Sequence, residues 1–390
     1  MKEEDDPSDF QRPYQKVLKF LLKKLQLKTN LYGGDPDNIQ DQIIIDVENA
    51  KTTKNSKMRE TLLGKSIKDL EEFEEPEFEV DPELDLVEEE VKAAQRKFQL
   101  AAIRAKKERV LIATEIAKLA MEDNLVDIAH KAASLAIAEE WDPVKNTDLV
   151  IAQSECHFVL ASCYVEKLLE EDIEIGFRDL VTVEEDQEER EFTNEDRHRY
   201  HDWKVKFPHH IIQGVKQGQL TQQTWLAFNG AIDFWNSYLP VFKKSNYYEM
   251  ILQEGIPAMI ECFEGMNNCF INATFNSESI DYELDKKMQI FTNLAIMLAR
   301  LYEFNVKNDD AVRVCDVLLQ KQLPSHLRKT FDSIKARVTK QVSNLANLGQ
   351  PKGGAPPAKG KEAAPVPTNT YAPSKTDVLT SEVLSYLELI

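Results

Sequence analysis

The chain has 390 residues, of which 42% are hydrophobic and 29% are charged, and its formal net charge at pH 7 is −19. So acidic a chain lacks the basic footprint that general nucleic-acid binding and adsorption to anionic membranes require. Its 13 glycines and the lack of any alternating apolar run argue against an all-β fold. No apolar run approaches the roughly 20 residues of a membrane-spanning helix.

The first 36 residues contain a predicted basic amphipathic helix. Between Pro13 and Lys28, apolar residues recur every three or four positions, which is the helical period. One interpretation is a helix whose apolar face packs on the rest of the chain. The sharper interpretation is a docking helix for an acidic partner surface such as the tubulin lattice. The candidate docking residues are Lys16, Lys19, Lys23 and Lys24.

Residues 37–90 are predicted to be an acidic linker. Between Asp69 and Glu90 there are many carboxylates and no Lys, Arg or His. Such a block repels itself and rarely packs alone. Apolar residues within it, notably Phe73 and Phe78, are predicted to anchor it on a partner or on the rest of the chain.

Residues 91–347 are predicted to form a helical array, because residues with high helix propensity alternate with short turns. Asp123 or Asn124 is the expected N-cap of the second helix. Residues 172–219, acidic at first and then His-rich, are taken as an insertion between helix pairs, with Trp203 as a candidate partner contact. The predicted helices cover 91–121, 125–140, 148–171, 221–238, 246–265, 281–304, 308–321 and 325–347.

Two stretches have the residue spacing of a tetratricopeptide (TPR) unit, a helix–turn–helix repeat. Small residues stand where two helices must touch, and a further helix begins with Trp225. The candidate packing residues are Ala117, Ala129, Ala136, Trp225, Leu298, Ala299, Tyr302, Ala311 and Pro324. The predicted fold class is therefore all-α: a TPR-like α-solenoid of stacked antiparallel helix pairs with acidic insertions. An irregular α-bundle is the alternative.

The last 43 residues change character. Residues 348–375 are rich in Pro, Gly and Ala, which is typical of a flexible linker. Residues 376–390 start a further apolar helix capped by Thr376 or Asp377. We expect the native protein to continue with more helices.

No arrangement of residues predicts catalysis, a cofactor or a bound metal. The five cysteines form no C-x-x-C pair and are expected to be reduced thiols in a cytosolic compartment. His198, His201, His209 and His210 lack a second ligand pair at zinc-site spacing. The stretch from Arg59 to Ser66 resembles a phosphate-binding loop without its first glycine. We therefore expect a protein that is not an enzyme.

Residues 148–164 and 225–242 carry a family resemblance. The second segment contains the pattern W-L-x-x-N-x-A-x-x-x-W, and residues 95–345 resemble the large TPR-containing proteins of the motile-cilium central apparatus. The resemblance implies a structural scaffold in the C1 projections of the axoneme, within the cytoskeleton of the cilium. Its implied partners are other central-apparatus proteins and tubulin, with no nucleic acid or membrane. The alternative is a cytosolic TPR-type adaptor that captures peptide tails.

Overall fold

The computed structural model describes residues 39–72, 88–182, 192–270, 282–321 and 323–348. These residues form twelve α-helices and no strand, which confirms the predicted all-α class. Within those ranges, β-type pairing is confined to two isolated antiparallel bridges, Ile173 with Thr182 and Phe177 with Ile251. Among the helices in these ranges, none combines the length and the apolar composition of a membrane span. The chain divides into two compact units, Met1–Ala138 and Glu139–Ile390.

The first unit contains four described helices. They are α1 (Ile39–Thr52), α2 (Ser56–Glu71), α3 (Glu88–Glu122) and α4 (Val126–Ala136). The first two helices pack on each other and on α3, and α4 packs on both α2 and α3. All four contribute to a shared apolar interior that includes Ile43, Leu63, Ile67, Ala117 and Ala129.

Helices α1 and α2 differ from the acidic linker expected at 37–90. Lys65 on α2 donates a hydrogen bond to Asp46 on α1 at 2.8 Å. Arg59 on α2 donates to Asp123, just beyond the end of α3, at 2.6 Å. These charge-assisted bonds join residues far apart in sequence, so charge composition alone did not reveal them.

The second unit contains the remaining eight helices. They are α5 (Thr147–Glu170), α6 (Asn194–Leu220), α7 (Thr224–Phe242), α8 (Tyr247–Met250), α9 (Gly255–Phe270), α10 (Tyr282–Phe304), α11 (Asn308–Leu319) and α12 (Ser325–Leu348). Leaving aside the short α8, each helix packs on the next one along the chain. Several also pack on the next but one: α5 on α7, α6 on α9, α7 on α10 and α10 on α12. One hydrophobic core extends from α5 to α12.

Helix α6 replaces most of the expected insertion at 172–219. A capping box between Thr193 and Asp196 starts the helix. One face then enters the core at three- and four-residue intervals through Tyr200, Lys204, Phe207, Ile211 and Val215. The His-rich composition concealed this amphipathic period, which is sufficient to make α6 a core helix.

Three helix pairs share one turn geometry. Asn124, Gln222 and Val306 each follow a long helix with φ of 57°, 58° and 59°, in the left-handed region. The next residue in each case donates its N–H to the carbonyl five positions earlier, at 2.8 to 2.9 Å, which is a Schellman-type helix end. The following helix begins two residues after the left-handed residue. We call α3–α4, α6–α7 and α10–α11 hairpins 1, 2 and 3.

This geometry corrects the expected helix cap between α3 and α4. Asn124 ends α3 in the left-handed conformation, and Leu125 stands at the N-cap of α4 without a side-chain capping bond. The equivalent N-cap residues, Gln223 and Lys307, also make no side-chain capping bond. The backbone turn therefore defines these hairpins, and a capping side chain does not.

Candidate interaction residues and helix-packing contacts

The three hairpins place small residues at equivalent positions. An alanine lies five residues after each left-handed residue, and these alanines are Ala129, Ala227 and Ala311. All three are almost fully buried. The residues seven positions before the turn are also buried, namely Ala117, Val215 and Ala299. A small side chain at such sites lets two helices approach closely, and a larger one would separate them.

The predicted packing residues fall into two groups. Seven are buried in hairpins 1 and 3: Ala117, Ala129, Ala136, Leu298, Ala299, Tyr302 and Ala311. Trp225 differs from this expectation, whereas the sequence predicts Pro324 only as the break before the next helix, which is where the structure places it. Trp225 remains 38% exposed, because it stands three residues after its turn, where Asp127 and Asp309 are also exposed. Pro324 is exposed just before α12, and its carbonyl accepts the N–H of Arg328.

Most predicted partner-docking residues lie outside the described residues: Lys16, Lys19, Lys23, Lys24, Phe73 and Phe78. Trp203 lies within the described residues. It is half-buried on α6, where it packs against the hydrophobic core of the second unit. Its ring lies 5.9 Å from that of Tyr200 and 5.6 Å from the Arg199 guanidinium. Part of this indole is therefore committed to internal packing.

A second close contact, which the sequence did not reveal, lies between α5, α6 and α7. A Cβ atom added to Gly214 would stand 2.5 Å from the Phe158 ring, and one added to Gly230 would stand 2.8 Å from the same ring. Ser154 on α5 also donates to the Gly214 carbonyl at 2.8 Å. Phe158 thus packs directly on glycine in two neighbouring helices. Gly214 and Gly218 lie four residues apart on one face of α6, and this spacing is the sequence pattern that could have indicated the contact.

Lys204 is a fully buried lysine on α6. Its ammonium group donates to the carbonyls of Phe177 and Asp179 at 3.1 and 2.9 Å. Burial lowers its pKa to about 8. Phe177 also forms an antiparallel β-bridge with Ile251. Lys204 therefore attaches the segment between α5 and α6 to the core. Because its ammonium group is already hydrogen-bonded to both carbonyls, we assign Lys204 a structural role.

Two histidines meet between α5 and α6. Nδ1 of His157 lies 3.0 Å from Nδ1 of His210, and the Tyr164 ring stacks on His210 with centroids 5.8 Å apart. Burial, with a smaller contribution from the charge of His209, lowers the pKa of His157 to about 4. The imidazole of His157 is therefore neutral at physiological pH.

All five cysteines are free thiols. Burial raises the pKa of Cys269 to about 11 and that of Cys315 to about 12, and it raises that of Cys262 well above its usual value. A thiol is a nucleophile only as its thiolate, so these three are poorly suited to covalent catalysis at neutral pH. Across the described ranges, no group of three or more His, Cys, Asp or Glu side chains is arranged to hold a metal ion.

A groove of about 410 Å³ lies between hairpin 2 and α9. Its lining is neutral and rich in side-chain amides: Gly218, Gln219, Gln222, Gln223, Thr224, Ala227, Gly265, Asn268 and Cys269. Asn268 donates to Gln219 at 3.4 Å, and Gln219 donates to Glu261 at 2.9 Å. Side-chain amides both donate and accept hydrogen bonds, so this groove has the chemistry to pair with a peptide backbone.

Comparison with known proteins assigns no family to this arrangement. No protein-family model matches the chain, and no curated protein is significantly similar to it in sequence.

Proposed function

We propose that this chain is a non-catalytic structural scaffold that binds neighbouring proteins through stacked helical hairpins. The observation that carries the proposal is the recurrence of one turn with a buried alanine five residues later, in hairpins 1, 2 and 3. Repeated helix pairs that contact only their neighbours produce an extended surface for other proteins.

Two features of the second unit support a TPR-like solenoid. Its helices pack on the next and the next-but-one helix along the chain, as the helices of a stacked array do. Helix α12 buries Phe331, Ile334 and Val338, while its other faces expose polar residues such as Lys329 and Ser333. One buried apolar face with polar residues on the others is the pattern of a helix that packs on its neighbour in a helical array.

The cellular setting that we propose is the axoneme of motile cilia. Residues 148–164 and 225–242 resemble TPR-containing proteins of the central apparatus, in particular cilia- and flagella-associated protein 46 and, next, protein 54. On this basis the scaffold belongs to the C1 projection, and its partners are other central-apparatus proteins and tubulin.

Fractionation of cilia tests this proposal. The epitope-tagged chain, expressed in a flagellated cell, is expected to stay with the axoneme after detergent extraction and to be lost from axonemes without a central pair. Release of the chain by mild detergent alone would contradict the proposal, as would equal retention in axonemes without a central pair.

The amide-lined groove favours a second candidate function, capture of an extended peptide tail by an adaptor. Gln222 and Asn268 are its exposed amides. In this case the purified chain is expected to retain specific peptides from a library of defined C-terminal tails, and the double variant Gln222→Ala/Asn268→Ala is expected to lose them. Retention that is unchanged in the variant would exclude the groove as the binding site.

A further inference from the structure

Helix α3 is much longer than the helices that pack on it. Its 35 residues extend about 52 Å, whereas the 16 residues of α2 extend about 24 Å. The bond between Arg59 and Asp123 places the start of α2 beside the C-terminal end of α3. Within the first unit, α2 and α4 therefore pack beside the C-terminal half of α3, and its N-terminal half extends past them.

The N-terminal half of α3 carries an exposed apolar strip. Leu100 is 68% exposed and Ile103 is 47% exposed, and Leu111 continues the strip at 42%. At 100° per residue these side chains lie within one narrow arc of the helix. Thr114 lies in the same arc and is buried. Most residues that α3 buries inside the first unit, such as Ala117, lie on the neighbouring face of the helix. The exposed strip therefore borders the packed face of α3.

Positive charge surrounds this strip. Between residues 92 and 109 the sequence has seven Lys or Arg residues and one acidic residue, in a chain whose net charge is −19. Arg96, Arg104 and Lys107 fall in the same arc as Leu100 and Ile103. The Arg104 side chain is 82% exposed, and its ion pair with Glu108 at 3.0 Å lies on the surface, where such pairs contribute little. We call Arg96, Leu100, Ile103, Arg104 and Lys107 the α3 strip.

We propose that the α3 strip binds a carboxylate-rich amphipathic helix of another protein. The partner's apolar residues cover Leu100 and Ile103, and its carboxylates pair with Arg96, Arg104 and Lys107. This mode reuses the packing of an amphipathic helix on an apolar strip, with flanking charges that select the partner. Charge argues against a second copy as the occupant, because two α3 strips would bring like charges together. The inference adds partner chemistry to the proposed scaffold role, but it is tested on the purified chain and is independent of the axoneme.

The test measures binding of two synthetic peptides to the purified full chain by fluorescence anisotropy. The first peptide has about 21 residues, with leucine at heptad positions a and d and glutamate elsewhere. The second has the same composition in scrambled order. We expect the first peptide to bind with a dissociation constant that rises with salt, and the scrambled peptide to bind at least about tenfold more weakly.

Variants localise the binding to the strip. Leu100→Ser/Ile103→Ser is expected to weaken binding of the first peptide by about tenfold or more, because the apolar contact is lost. Arg104→Glu is expected to weaken it and to reduce its salt dependence. Leu220→Ser is the matched apolar control, since Leu220 is 65% exposed on α6, and Lys329→Glu is the charge control on α12. Both controls are expected to bind like the unaltered chain, and all four variants to keep its helical circular dichroism.

Several outcomes would overturn the inference. The first is failure of the unaltered chain to bind the peptide, and the second is an equal effect of Leu220→Ser and of the strip variant. Binding that appears only after Glu74, Glu75, Glu77 and Glu79 are changed to Gln would identify the chain's own acidic segment as the occupant. Stronger binding to phosphatidylserine-containing vesicles than to the peptide would identify a membrane surface instead.

Discussion

Replacing Gly214 by alanine tests whether hairpin 2 depends on a glycine contact. Gly214 lies inside α6, where alanine is favoured over glycine by about 1 kcal/mol of helix propensity. If only propensity mattered, Gly214→Ala would stabilise the second unit. The structure predicts the opposite result, because the new methyl group would enter the Phe158 ring.

The size of the effect follows from the distances. The added Cβ would stand 2.5, 2.8 and 2.9 Å from three atoms of the Phe158 ring, whereas carbon atoms pack at about 3.5–4.0 Å. The ring cannot simply move away, since Gly230 closes on it from α7. Overpacking of this kind costs about 1–3 kcal/mol. After subtraction of the propensity gain of about 1 kcal/mol, we expect a net loss of up to about 2 kcal/mol in the free energy of unfolding.

The assay is urea unfolding followed by tryptophan fluorescence. All four tryptophans lie after residue 138, so the signal reports the second unit. Phe158→Leu in the Gly214→Ala background is expected to cost less than the sum of the two single changes, which a double-mutant cycle measures. Gly64→Ala is the propensity control, because its Cβ would meet only Ile128 at 3.8 Å; its unfolding is followed by far-ultraviolet circular dichroism, since Gly64 lies in the first unit, which contains no tryptophan. A higher unfolding midpoint for Gly214→Ala would refute the reasoning.

Three further predictions concern stability. Val306→Gly is expected to stabilise the chain by about 1 kcal/mol in urea unfolding, because a β-branched residue is strained at φ 59°; Val144→Gly, in a turn without positive φ, is the control and should give no gain. Burial lowers the pKa of His157 from 6.5 to about 4, so below pH 6.5 the imidazole takes up a proton more readily in the unfolded chain than in the folded one. Lowering the pH from 7 to 5 should therefore reduce the free energy of unfolding by about 2 kcal/mol. His157→Gln should lack this component, and an unchanged pH profile in the variant would contradict the prediction. Arg337 holds the buried Glu303 through bonds of 2.5 and 2.6 Å, so Arg337→Ala should lower the thermal unfolding midpoint by the equivalent of about 3 kcal/mol, and an unshifted midpoint would count against the pairing.

The sequence predicted the helical class and the small residues of two hairpins. Ala129 and Ala311 were recognised because small residues recur there at the spacing of a known repeat. Ala227, at the equivalent position of hairpin 2, was missed because Trp225 beside it suggested a bulky packing face. The buried face of α7 differs from that expectation: Leu226 and Ala227 are buried, and Trp225 is partly exposed to solvent.

The recurring turn could not be read from the sequence. Asn, Gln and Val occupy its left-handed position, and only the first of these commonly adopts that conformation. Helices α1 and α2 were missed for a different reason. Their contacts include Lys65 with Asp46 and Arg59 with Asp123, and such long-range pairs appear only once the chain is folded. Local charge composition therefore predicted a linker where tertiary contacts stabilise helices.

The central claim, a scaffold of stacked hairpins in the central apparatus, is tested most directly by cryo-electron tomography of axonemes that carry the chain with a density tag. We predict tag density on the C1 side of the central pair, at the repeat distance of its projections. Tag density on the outer doublets, or none on the axoneme, would contradict the account.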